Sequence, residues 1–239
     1  TFVNDVDTSN TVDGKPIYYW INRRDMAVPL DAGYVILVNC TGITVQNLDL
    51  RNNGQGLLLV YATNSTMTTN SMANNEYGIH LVHSSSNVIS GNNVTCNIRG
   101  FLYDQSSNNS LTENNIANNE CGIWLDESSN NEFYHNNFTN NTQQVSIERF
   151  GGCVNVWDDG YPSGGNYWSD YAGVDEDGDG IGDTSYVIDE ANEDRYPLIA
   201  GSPSNDTTPP TISILSPENK TYSVNDVLLT FTVSESTSW

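Results

Sequence analysis

The chain has 239 residues, with 8 Lys plus Arg against 30 Asp plus Glu and a formal net charge of -22. Such a surface excludes nucleic acid, whose phosphates need a basic partner. No apolar run approaches the roughly 18 residues that cross a bilayer, so the chain holds no transmembrane segment.

The length suits one or two domains with a real core. Most of the charge serves solubility, but so many carboxylates also suit cations such as Ca²⁺. Eight Asn-X-Ser/Thr sequons occur, at Asn39, Asn64, Asn93, Asn108, Asn137, Asn140, Asn205 and Asn219. An Asn-rich chain makes sequons by chance; with so little Lys, they point to a secreted or cell-surface glycoprotein. Cys40, Cys96, Cys121 and Cys153 permit disulfides and show no metal spacing. Cys96 and Cys121 fall near one corner of neighbouring repeats, three residues out of register for pairing.

Residues 42–150 repeat. Gly56, Gly78, Gly100 and Gly122 lie 22 residues apart. Leu57, Ile79, Phe101, Ile123 and Val145 follow at the same interval, as do Leu59, Leu81, Tyr103, Leu125 and Ile147. Two more apolar columns are Val45, Met67, Ile89, Leu111, Phe133 and Leu50, Met72, Val94, Ile116, Phe138. Within a unit, apolar positions alternate as in "GIWLD", which is strand periodicity. Short strands in a 22-residue unit predict the coils of a parallel β-helix, all-β, with like positions stacked about 4.8 Å apart.

Stacking accounts for the asparagines. Asn70, Asn92, Asn114 and Asn136 share a column that faces the core, where side-chain amides can satisfy one another. Asn53, Asn75, Asn97, Asn119 and Asn141 fall where the chain turns, and are expected to hold left-handed corners. The "SSN" segments mark another corner.

The outward positions give a candidate ligand-binding face. One column reads Val82, Asp104, Asp126, Glu148; beside it runs His80, Leu102, Trp124, Ser146. Like charges that close repel or recruit a cation. Carboxylates beside an exposed Trp suit sugar binding, the ring packing on a pyranose face. They also suit glycoside hydrolysis, whose retaining form sets two carboxyl groups about 5 Å apart. A lyase would want a base beside the acids: Arg149 adjoins Glu148 in sequence, while Arg51 and Arg99 do not stack with it. The plain alternative is a solvated polar face.

Residues 151–200 read as a cap. Trp157, Tyr161, Tyr167, Trp168 and Tyr171 would cover the open end of the core. Within the cap, "DEDGDGIGD" places Asp175, Asp177, Asp179, the Ile181 carbonyl and Asp183 at the spacing of a calcium loop. The twelfth position is Tyr186 rather than Glu, so Asp189, Glu190 or a water would have to complete the shell. A structural Ca²⁺ is the expectation; a flexible acidic loop is the alternative. Residues 201–210, "GSPSNDTTPP", read as a linker, and 211–239 alternate like β-strands.

The "NNxxGIxLxxSSN" coils, the blocks "DTSNTVDGKPIYYW" and "VPLDAGYVILVNCTGITVQNLDL", and the closing "NVWDDGYPSGGNYWSDY" resemble NosD-like, carbohydrate-associated right-handed parallel β-helix surface proteins of archaeal type. Residues 211–239 resemble the start of an immunoglobulin-like module, cut short. The resemblance implies further coils ahead of Thr1. It also implies a secreted or cell-surface structural or adhesive protein, with cell-wall glycan or other copies of itself as partners. NosD-type proteins are linked to copper handling, which would engage His80 and His83. In a strand those two point to opposite faces, so ordinary surface histidines are the simpler reading.

Overall fold

The computed structural model describes residue 2, residues 4–148 and 153–199, and the backbone of 212–216 and 230–233. It is all-β, and no helix is long and apolar enough to cross a membrane. Three sheets of eight, five and six strands, parallel except for the antiparallel edge strand Thr11–Val12, form the walls of a β-helix. From Tyr34 to Thr139 each coil gives one strand to each wall, as in Tyr77–Val82, Val88–Ser90 and Asn93–Thr95. Register follows the 22-residue period: Ile79 pairs with Phe101, and Phe101 with Ile123. The eight-stranded sheet starts before residue 42, because Lys15–Ile21 and Tyr34–Val38 also join it in parallel. Ile17 pairs with Tyr34, so this first coil holds 17 residues and escapes a search for 22.

The glycine column exists because coils approach closely there. A Cβ on Gly78 would lie 2.5 Å from the Gly100 carbonyl oxygen, and one on Gly100 2.6 Å from that of Gly122. The core columns Leu57 to Leu125 and Val45 to Phe138 are fully buried.

Asn70, Asn92, Asn114 and Asn136 form a buried ladder. Asn92 Oδ1 accepts the Asn70 backbone N–H and its side-chain Nδ2–H, at 2.9 and 3.0 Å. The Asn92 amide then donates to Asn114 Oδ1 at 2.9 Å. Asn75, Asn97, Asn119 and Asn141 form a second buried ladder rather than left-handed corners. The left-handed residues are one position earlier: Asn52, Asn74, Cys96, Asn118 and Asn140, with φ of 55–59°. The corner residue turns outward, and its successor sends its amide inward to the backbone of the coil before.

In the cap, Trp157 stacks on Phe133 at 4.5 Å and Trp168 on Phe138 at 4.2 Å, closing the core columns. All four cysteines are free thiols, so Cys96 and Cys121 do not pair; Cys96 is exposed at its corner and Cys121 buried on a strand. Residues 203–239 form a second unit, in which Ile212–Ser216 pairs antiparallel with Thr230–Val233. The rest of the expected immunoglobulin-like segment, the linker, Asn205 and Asn219 lie outside the described residues.

Candidate functional site

The outward face of the eight-stranded sheet has two halves. Toward the N-terminus it is apolar. Ile36, Val38, Val60 and Val82 are buried there, packed with Tyr19, Tyr34 and Leu58 into a second cluster outside the solenoid. The N-terminal segment ties onto it, since the Tyr19 hydroxyl donates to the Phe2 carbonyl at 2.6 Å.

Toward the C-terminus the face turns acidic. Asp104 pairs in register with Asp126, and Glu148 follows because its N–H donates to the Leu125 carbonyl at 2.9 Å. The three carboxylates are half-buried, and none has an ion-pair partner among the described residues. Beside them, Leu102 pairs with His80 on one side and with Trp124 on the other.

Arg99 is the residue that spacing alone left out. Its guanidinium lies 4.1 Å from the Trp124 ring centroid, and its Nη1 donates to the Tyr77 hydroxyl at 3.2 Å. Such a contact contributes roughly 0.5–2 kcal/mol. It also means that one face of the half-buried indole already carries a cation. Arg51 pairs with Asp49 on a different sheet, and Arg149 lies outside the described residues.

His80 sits where the two halves meet. Both ring nitrogens are buried with no hydrogen-bond partner, and the ring packs 5.2 Å from Tyr77. Burial pushes its pKa down, against the pull of the Asp104 carboxylate. His83 points elsewhere, stacked on Tyr61 at 5.0 Å from a corner with φ of 48°. His135 Nε2 meets the Ser163 carbonyl at 2.9 Å, on the cap side.

Asp175, Asp177 and Asp179 offer carboxylate oxygens within 4.8 Å of one another, the only such group of three among the described residues. Three hard oxygen donors fit Ca²⁺. Desolvation is the largest single influence on Asp175 and acts upward, but the N–H groups of Gly180, Gly178 and Asp179 together hold its carboxyl below the usual range. Asp183 Oδ2 accepts the Glu176 N–H at 2.8 Å, and Ile181 bridges antiparallel to Leu198. Asp189 Oδ1 accepts from Ala191 N–H and the Asn192 side-chain amide, at 2.8 and 2.9 Å.

Of the described sequons, Asn39, Asn64, Asn93, Asn108 and Asn140 are exposed and Asn137 is half-buried. None lies in a strand of the eight-stranded sheet.

Residues 21–173 match the family described as periplasmic copper-binding protein (NosD). Among solved structures, the A-module of the mannuronan C-5 epimerase AlgE6 of Azotobacter vinelandii is similar at 8% identity, covering 59% of this chain and 55% of that module, with a TM-score of 0.27. The chain thus spans about half of that module's length. No curated protein matches the chain in sequence.

Proposed function

Because the chain belongs to the NosD family, we propose that it works outside the cytoplasm as a structural or adhesive β-helix that binds glycan along its eight-stranded face. One observation carries this reading: Trp124, with Arg99 on one side, stands next to the column of Asp104, Asp126 and Glu148, which has no ion-pair partner among the described residues. An indole packs on a pyranose ring, and carboxylates accept from sugar hydroxyls or amines. Stacked coils repeat at about 4.8 Å, so an extended polymer would meet one row of side chains per coil. Three neighbouring carboxylates and a net charge of -22 oppose a polyanion, which favours neutral or amine-bearing glycan. The exposed sequons lie off this face, so glycans attached there would leave it bare.

The Asp175–Asp179 loop would hold a structural Ca²⁺ that stiffens the cap. The family's description suggests copper instead. The described histidines supply no group of three metal-capable side chains, so the glycan reading is preferred. The test is a glycan array followed by calorimetry with Trp124→Ala. Loss of binding is expected in a protein that stays folded, with its melting temperature lowered only by the lost Arg99 contact. Binding that survives Trp124→Ala, or no glycan bound by the parent protein, would overturn the reading.

A further inference from the structure

His80 is half-buried, yet both its ring nitrogens are shut from solvent without a partner among the described residues, which makes it the least explained group on this face. A neutral imidazole can stay in such a place; an imidazolium cannot without a partner. The charged groups around it are few. On its own strand, Tyr77 packs on the ring and Glu76 lies just before the strand. On the following strand stand Arg99 and Asp104. The preceding strand offers only the neutral Gln55, Leu58 and Val60. Glu76 and Asp104 favour a proton on His80, and Arg99 opposes it.

These contacts form a chain. His80 packs on Tyr77, the Tyr77 hydroxyl accepts from Arg99, and Arg99 covers Trp124. We infer that His80 is a positioning residue that gates Trp124: once protonated, its ring turns from the seam toward Asp104, and Arg99 leaves the indole. The new charge on the ring packed against Tyr77 repels the guanidinium held at the Tyr77 hydroxyl, and the Asp104 carboxylate draws the ring away. Acid therefore uncovers the aromatic platform. The consequence for ligand binding rests on the glycan reading above; the gate itself does not.

The experiment follows the Trp124 indole N–H and the Arg99 Nε–H by NMR from about pH 8 to about pH 5, bracketing the histidine range, without glycan. The parent protein should show one shared step in both signals. His80→Leu, which keeps the packing and removes the proton site, should abolish the step. Asp104→Asn should move it to lower pH. A Trp124 signal that stays flat, or a step that persists unchanged in His80→Leu, would overturn the gate. Glycan titration at both ends of the range separates the two ideas. A gate with tighter binding in acid supports both, and a gate with no binding at any pH removes only the glycan reading.

Discussion

Asn166 donates its backbone N–H to Asp194 Oδ2 at 2.7 Å and directs its side-chain amide at the same oxygen, 3.4 Å away. The pair is where an asparagine ladder stops. Each amide in the column hands a donor to the next coil, from Asn70 through Asn136 to Asn166. A ladder with that polarity must end on a group that only accepts, and a carboxylate is one. The other ladders end alike. One runs from Asn131 through Asn155 and Asn192 to Asp189, the other from Asn141 through Gln144 to Asp170.

Asp194 should therefore be poorly replaceable. It accepts from Asn166, Trp168 and Tyr196, and is fully buried. Asp194→Asn turns one acceptor into a donor that faces donors. A loss of about 1–3 kcal/mol is expected in denaturant unfolding, and more for Asp194→Ala, which orphans the whole set.

The same residue gives a pH signature. Burial outweighs the donors and raises the Asp194 carboxyl from 3.8 to about 6. A raised folded pKa means that the native state binds the proton more readily. The associated stability is present in full below about pH 4 and is lost as pH rises through about 6, at most about 3 kcal/mol. Urea midpoints measured across that window should rise toward acid in the parent protein. The slope should flatten in Asp194→Asn.

Much of this architecture was legible as a period. The interval from Gly56 to Gly122 located the coils and put Asp104, Asp126 and Glu148 in one column. What escaped was whatever breaks the period. Asn166 follows Asn136 by 30 residues, and Asn192 follows Asn155 by 37, so no repeat search joins them. Arg99 reaches Trp124 diagonally across coils, which register alone does not show. The inward columns are dictated by packing, whereas the reach of long outward side chains is not.

Calcium removal is a third test. The loop brings three carboxylates within 4.8 Å of one another, and further oxygens would complete the shell. Ca²⁺ at about 100 times its Kd would add about 2.7 kcal/mol. EDTA should lower the melting temperature of the parent protein and leave Asp177→Asn, Asp179→Asn largely unaffected. No change on EDTA in the parent would remove the structural ion.

His80→Leu is the last, and its sign is opposite to that of Asp194. The substitution removes two buried nitrogens without partners and continues the apolar column of Leu58 and Leu102. A gain of about 1 kcal/mol at neutral pH is expected, the desolvation cost of an unmade hydrogen bond. Because burial lowers the His80 pKa, the unfolded state takes up the proton first. Stability from this group is present above the unfolded value of about 6.5 and is lost as pH falls below it. The advantage of His80→Leu should therefore grow toward acid, read as a widening gap in urea midpoint between variant and parent. A constant gap would mean that His80 takes up its proton at the same pH in the folded and the unfolded protein.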